Sequence, residues 1–246
     1  MRQSRTIPRL YVSDALISGA QVTLSAEQSH YLATVLRSSV GATVELFNGR
    51  EGEWVCAITE IKKKAVTVEL TSQQRPQVLP ADIDVAFAPL KHARLDFMAQ
   101  KFAELGVKTV APVITDRTIA AKLNMDRLRA NLIEGAEQCG VLWVPETHQP
   151  QKLNGFLDQH DGNRALVFCD EGAETANPLP VLEQVKGRPC TVLLGPEGGF
   201  TPEERQRIYA RANAVALSLG PRIMRADTAA VAALTLVQAT IGDWHA

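Results

Sequence analysis

Leu193-Leu194-Gly195-Pro196-Glu197-Gly198-Gly199-Phe200 runs from an apolar strand through a Gly-Pro break toward a helix start. Leu219-Gly220-Pro221-Arg222-Ile223-Met224-Arg225-Ala226-Asp227-Thr228-Ala229 does the same about twenty residues later. In the first stretch the glycines leave bare backbone, Pro196 stiffens the turn, and Thr201-Pro202-Glu203-Glu204 reads as a capping box with proline at the first helical position. Two such loops at the carboxyl ends of parallel strands form the kind of crevice in which open α/β sheets bind ligands. Neither loop is G-x-G-x-x-G and the chain has no G-K-[ST], so the dinucleotide and P-loop fingerprints are missing. A glycine-rich strand-to-helix turn with no ligand is the simpler alternative. In the second stretch Asp227 or Thr228 is expected to cap an Ala-rich helix running to about Thr240. Arg222 and Arg225 then sit beside a helix N-terminus, where the macrodipole disfavours cations. Either both arginines face solvent or pair with Asp227 or Glu197, or their placement is functional.

Around these loops, apolar runs alternate with helical patterns. Ile83 to Ala88, Thr109 to Ile114, Ala165 to Cys169, Thr191 to Leu194 and Ala214 to Leu219 read as strands, which predicts a mostly parallel sheet covered by helices. Leu95, Met98, Phe102 and Leu105 share one helical face that ends at Gly106, and Asn124 caps a helix from Met125 to about Gln138. Upstream, Ser25-Ala26-Glu27-Gln28 is a second capping box, for a helix ending near Arg37. Gln21 to Leu24, Val44 to Phe47, Trp54 to Ile61 and Ala65 to Leu70 are strands, the middle two joined across Asn48-Gly49, a short hairpin signal. Thr71 to Pro80 is polar, carries two prolines and has no periodicity. The expected organisation is a small β-rich barrel domain over residues 1–72, a linker over 73–81 and an α/β domain over 82–246.

The composition is that of a globular chain: 246 residues, 46% hydrophobic, net charge -1. No apolar run nears the ~18 residues of a membrane span, and Met1 to Arg9 has no signal-peptide core, so a cytoplasmic protein without membrane contact is expected. Cys56, Cys139, Cys169 and Cys190 form no C-x-x-C, and the five histidines, His30, His92, His148, His160 and His245, form no H-E-x-x-H, so no metal is predicted. Arg2, Arg5 and Arg9 precede the first acidic residue, Asp14, and Lys62-Lys63-Lys64 falls in a turn. From charge alone, a solvated tail and an ordinary turn explain these cations better than a nucleic-acid patch does.

Ordered motifs carry a resemblance across nearly the whole chain. They are Ile7-Pro8-Arg9, Val35-Leu36-Arg37, Gln100-Lys101 with Glu104-Leu105-Gly106-Val107, Glu137-Gln138, Gly195-Pro196-Glu197-Gly198-Gly199 and Leu219 to Arg225. With them the chain resembles the RsmE family of ribosomal RNA uridine-N3 methyltransferases, within the knotted SPOUT class. The resemblance implies a PUA-like RNA-binding barrel followed by an α/β domain with a C-terminal trefoil knot, although knots are nearly absent among folds. It also implies a homodimer acting on small-subunit ribosomal RNA in the 30S subunit, with S-adenosylmethionine as methyl donor. By resemblance, the donor is held by Leu194, Gly195, Pro196, Glu197, Gly198 and Gly199, by Leu217, Ser218, Leu219 and Gly220, and by Ile223, Met224 and Arg225. The chain departs from the family's pattern in Asp227, where glutamate is common, and in Val141 and Trp143, where basic residues are frequent.

Methylating N3 requires loss of the ring proton and stabilisation of charge on the uracil oxygens. Arg225 is assigned that stabilisation from its place beside the donor loop and a helix N-terminus, and Glu197 and Asp227 are the nearest carboxylates for the proton. Arg9 and Arg37 are expected to contact RNA phosphates. Three rivals stay open: a SPOUT enzyme acting on a ribose hydroxyl or another base, a non-catalytic RNA-binding protein, and an α/β enzyme for a phosphorylated metabolite using the Gly195 loop as an anion site.

Overall fold

The computed structural model describes residues 7–63, 65–119, 122–173 and 177–244. Arg2, Arg5, Lys64 and His245 therefore lie outside the described residues. The chain divides into two compact units, one built from residues up to Leu79 with Ala136–Val144, the other from Pro80–Gly135 with Pro145 onward.

In the first unit β1 (Arg9–Tyr11), β2 (Gln21–Thr23), β3 (Thr43–Phe47), β4 (Glu53–Lys62) and β5 (Ala65–Arg75) form one sheet in the order β1-β3-β4-β5-β2. Among the described residues of this unit only β1 and β3 pair in parallel. Leu10, Val22, Val44, Ile58 and Val68, one from each strand, join a single buried cluster with Leu32, so the sheet bends around its core. Among the described residues no ladder joins β1 to β2. The outward groups of β1 are taken by side chains instead: Tyr11 N–H donates to Glu137 Oε1 and Tyr11 C=O accepts from Gln28 Nε2. α1 (Ala26–His30) starts at Ser25 with the predicted reciprocal capping box. It widens into a π-helical turn, Tyr31–Val35, and stops at Arg37, whose φ of 52° makes it the one left-handed non-glycine residue among those described.

Two local expectations need correction. The β3–β4 connection is a five-residue loop, because Phe47 pairs with Glu53. Asn48 is buried, accepting from Arg50 and Glu51 N–H and donating to Asp14 C=O, so its side chain organises a longer loop than a two-residue turn. Gln73 to Arg75, placed in the linker, continue β5 opposite Trp54 and Glu53. Their side chains are exposed, so no buried face imposed an apolar alternation there.

The second unit holds β6 (Ile83–Phe87), α2 (His92–Glu104), β7 (Thr109–Ile114), most of α3 (Met125–Cys139), β8 (Glu146–Thr147), β9 (Gln151–Lys152) and α4 (Leu153–Gln159). It continues through β10 (Ala165–Cys169), α5 (Leu179–Glu183), β11 (Cys190–Leu194), α6 (Pro202–Tyr209), β12 (Ala214–Leu217) and α7 (Ala226–Ile241). The strands run in the order β12-β10-β11-β6-β7-β8 with β9 also beside β7, and all pairs are parallel, as the rhythm of the sequence predicted. Such strands are hydrophobic on both faces because helices cover both. On one face Phe87 meets Phe102 of α2 edge-on at 5.2 Å. On the other, Phe168 meets Phe200 at 5.1 Å in a cluster with Phe156, Leu157 and Ile208. Gln238 of α7 is fully buried and donates to Leu105 C=O at 2.6 Å, tying the last helix to the end of α2. No helix among the described residues is long and apolar enough to cross a membrane.

Candidate active site

β11 and β12 both flank β10, so the crossovers leaving β10 and returning past it run in opposite directions. Such a reversal opens a crevice outside the carboxyl ends of the strands, and a cavity lies there with three walls.

The first wall is Leu194, Gly195, Pro196, Glu197, Gly199 and Phe200. A side chain at Gly195 would place its Cβ 2.5 Å from the Phe200 ring, so this position admits only glycine without displacement. Phe200 is held against Phe168, and Thr201 then caps α6 with the predicted box: its side chain accepts from Glu204 N–H while Glu204 Oε2 accepts from Thr201 N–H. The loop is therefore fixed by packing at one end and by capping at the other.

The second wall is Leu217, Leu219, Gly220, Arg222, Ile223 and Met224, followed by Ala226 and Ala229 of α7. Gly220 has φ of 100°, a backbone region that side chains rarely occupy. Ile223 is 88% exposed while lining the cavity, so it stands at the mouth.

The third wall, formed by Cys169, Asp170 and Glu171 at the end of β10 with Arg205 of α6, was not foreseen. The Asp170 carboxylate, 4% exposed, accepts from Arg205 Nη2 at 2.8 Å, Tyr209 Oη at 2.6 Å and Gly172 N–H at 3.0 Å. Burial and the neighbouring Asp170 push the Tyr209 phenol upward. Burial pushes the Cys169 thiol up to about 12, which favours its protonated form over the nucleophilic thiolate. The available signal was that β10 is a predicted strand whose carboxyl end must share the crevice. Its neighbours could not be read from local pattern.

Ten of the thirteen residues assigned to the donor line the cavity; Gly198, Ser218 and Arg225 do not. Gly198 C=O accepts from Arg117 Nη1 at 2.8 Å, and buried Ser218 turns its hydroxyl to Gly220 N–H at 3.3 Å. Arg225 is the N-cap residue of α7 and exposed, with no side-chain cap bond. The expected cap at Asp227 or Thr228 therefore moves forward: Asp227 lies in the first turn and accepts from Thr228 N–H. Glu197 pairs with Arg94 of α2 rather than with Arg222 or Arg225.

In the first unit Arg37 is exposed, but Arg9 is not available to a phosphate. Its side chain is 9% exposed and donates to Glu53 Oε1 at 2.5 Å and to the carbonyls of Ala136 and Val141 at 2.6 Å each. Its guanidinium lies 3.7 Å over the Phe47 ring. The expectation that it binds RNA fails because its donors are already engaged inside the unit.

Chemically, the cavity offers apolar walls, loop backbone at Gly195, Pro196, Glu197, Gly199 and Gly220, and the carboxylates of Glu171 and Glu197, with Arg205 on its lining neutralised by Asp170 and Arg222 exposed at its edge. That set suits a ligand with a flat apolar part, a hydrogen-bonding edge and a positive charge. No group of three or more His, Cys, Asp or Glu among the described residues is arranged to hold a metal.

Residues 77–238 match the family profile described as RNA methyltransferase domain, and residues 24–71 that described as RNA methyltransferase PUA domain. The chain is 29% identical to Ribosomal RNA small subunit methyltransferase E of Rickettsia conorii over 232 residues, 94% of each chain. Among solved structures it is similar to a methyltransferase of Legionella pneumophila in complex with the cofactor SAM, with 30% identity, a TM-score of 0.86, and coverage of 97% of this chain and 99% of that one. It is also similar to Ribosomal RNA small subunit methyltransferase E of Neisseria gonorrhoeae bound to S-adenosyl methionine, with 27% identity, a TM-score of 0.87, and coverage of 97% and 100%.

Proposed function

The chain belongs to the RNA methyltransferase domain family, and we propose that it transfers a methyl group from S-adenosylmethionine to N3 of a uridine in small-subunit ribosomal RNA. The observation that carries the reading is the convergence of both Gly-Pro loops on one cavity at the reversal of strand order, in a chain that matches methyltransferases solved with that donor over nearly its full length.

The cavity fits the donor by its chemistry. Leu194, Leu217, Leu219 and Met224 supply apolar faces for an adenine, the loop backbone supplies donors and acceptors for its edge, and Glu171 and Glu197 supply negative charge for a cationic ligand. When bound, S-adenosylmethionine provides an electrophilic methyl group on a sulfonium. The protein's own part is to exclude water, orient the uracil ring and balance the charge left when its N3 proton departs. Arg225, outside the cavity wall and exposed, is suited to touch the base rather than the donor, stabilising the anion at the uracil oxygens. Glu197 and Asp227 are the carboxylates close enough in sequence and loop to accept the proton. Ser218 and Gly198 serve by shaping the two loops.

The proposal includes an N-terminal PUA-like domain over residues 1–72, a segment over 73–81 and a methyltransferase domain over 82–246 with a C-terminal trefoil knot. It also includes a homodimer, a cytoplasmic site of action, the assembled 30S subunit as substrate and a phosphate contact from Arg37.

Labelled donor with small subunits from a strain lacking the gene should give methyl incorporation and a new reverse-transcription stop at a uridine. Incorporation without a stop would favour ribose methylation and refute the N3 assignment. Arg225→Ala should lower methyl transfer at least ~100-fold, the scale of a lost oxyanion donor, with donor affinity unchanged; full activity would remove Arg225 from the mechanism.

A further inference from the structure

Behind the Gly195–Gly199 loop lies a second, smaller hollow, lined by Pro89, Leu90, Lys91, Arg117, Ile119 and the same Pro196 and Glu197 that line the first. The 196–197 segment is thus the wall between the two. Lys91 stands at the N-cap of α2 and Arg94 in its first turn, a turn with no acidic residue. Cations there oppose the helix macrodipole, a small local cost that surface cations normally avoid. Arg117 is held across the hollow by a braced turn: Thr115 N–H donates to Thr118 Oγ1 at 2.9 Å, and Asp116 N–H donates to Glu204 Oε1 at 2.9 Å.

Several other cations of this unit are paired with carboxylates, while Arg188 and Arg211 bond to backbone carbonyls. Arg127 pairs with Asp96, Lys108 with Asp82, Arg205 with Asp170 and Arg207 with Asp158. Among the described residues neither Lys91 nor Arg117 has a carboxylate within salt-bridge distance. Arg94 has one, Glu197, in a solvent-facing pair whose side chains are 40% and 42% exposed. An exposed pair of that kind contributes little stability and exchanges readily for a better anion. A phosphodiester, offering two oxygens to a guanidinium fork, is such an anion.

We propose that Lys91, Arg94 and Arg117 form a binding notch for a backbone phosphate of the RNA substrate, and that this phosphate takes Arg94 away from Glu197. The proposal rests on the reading of the chain as an RNA methyltransferase. It makes Glu197 the link between substrate and donor, because the carboxylate released from Arg94 remains on the shared wall of the donor cavity. The RNA then completes the site it is to react in, and Glu197 is free of its cation only when substrate is present.

The test measures binding of small ribosomal subunits from a strain lacking the gene over a salt series, with donor affinity followed by calorimetry. Lys91→Gln and Arg94→Gln should each weaken RNA binding and lower the slope of log K against log salt by about 0.7 to 0.9; donor affinity should be unchanged in Lys91→Gln and unchanged or higher in Arg94→Gln, which frees Glu197 on the cavity wall. Glu197→Gln should tighten RNA binding about threefold or more by removing the competitor. The double variant with Arg94→Gln should bind like Arg94→Gln alone, because the two act on one contact. Unchanged slopes in both cation variants would overturn the notch. Donor affinity falling in step with RNA affinity would reassign the cations to the donor. Tight binding of inorganic phosphate alone would reassign the hollow to a small anion. Methyl incorporation by the unsubstituted protein is read separately, so RNA binding with the predicted slopes but without turnover would refute the enzymatic reading and leave the notch standing.

Discussion

Replacing Arg9 by methionine should destabilise the first unit by about 3 kcal/mol while leaving the salt dependence of RNA binding unchanged. Glu53, whose side chain is 3% exposed, is paired with Arg9 at 2.5 Å and with Arg75 at 2.8 Å. Burial alone would raise its carboxyl, but the hydrogen bonds from Arg75 and Arg9 hold it below the usual glutamate value. Methionine keeps much of the packing against Phe47 but leaves the carbonyls of Ala136 and Val141 without their donor. Breaking a buried ion pair by removing one partner costs roughly 3 to 5 kcal/mol. Arg75 still reaches both Glu53 oxygens, which places the loss at the lower end. With a urea dependence of about 1 to 2 kcal/mol per molar for a unit of this size, the midpoint should fall by about 2 M. The assay is urea unfolding followed by hydrogen exchange in peptides from β3 and β4, which reports this unit separately from the other. An unchanged midpoint together with a salt slope reduced by about one would refute the buried-staple reading and restore Arg9 as a phosphate contact.

Three further outcomes follow from the geometry. Burial and the nearby Arg211 and Arg164 depress His160 from 6.5 to about 4, so its contribution to stability is complete above pH 6.5 and is lost as pH falls toward 4. His160→Gln should therefore flatten stability over that window by about 2 kcal/mol at pH 4.5, and parallel curves for the two proteins would contradict this. Glu53 acts at lower pH: its depressed value means stability lost as pH falls below about 4.5, an acid limb that Glu53→Gln should reduce in urea titrations. Gly195→Ala forces a methyl group to 2.5 Å from Phe200, whose ring cannot retreat past Phe168. A cost of about 1 to 3 kcal/mol and a donor affinity weakened tenfold or more are expected, and calorimetry showing normal affinity would mean the loop is looser than its packing implies.

Much of the second unit is legible because its signals are local. The boundaries of β7 and β10 coincide with apolar runs bounded by breakers. The capping boxes at Ser25 and Thr201 are visible within four residues because a cap bonds only to the turn it starts. Signals fail where no buried face imposes a period, as in Thr71 to Arg75, or where a side chain reorganises a turn, as at Asn48.

Read alone, the sequence establishes an α/β chain with two bare-backbone loops after parallel strands and, by its ordered motifs, the family to which those loops belong. Periodicity, caps and motifs are properties of neighbouring residues, so a linear reading reaches them. Which strands lie side by side is decided by hydrogen bonding and packing between distant segments. Only that arrangement sets β10 between β11 and β12, brings Asp170 and Arg205 to the cavity, and puts Glu197 between two hollows. The fate of an arginine is decided in the same way. Arg9 and Arg37 look equivalent as letters, but acceptors from Glu53, Ala136 and Val141, remote in the chain, bury one guanidinium and leave the other in water.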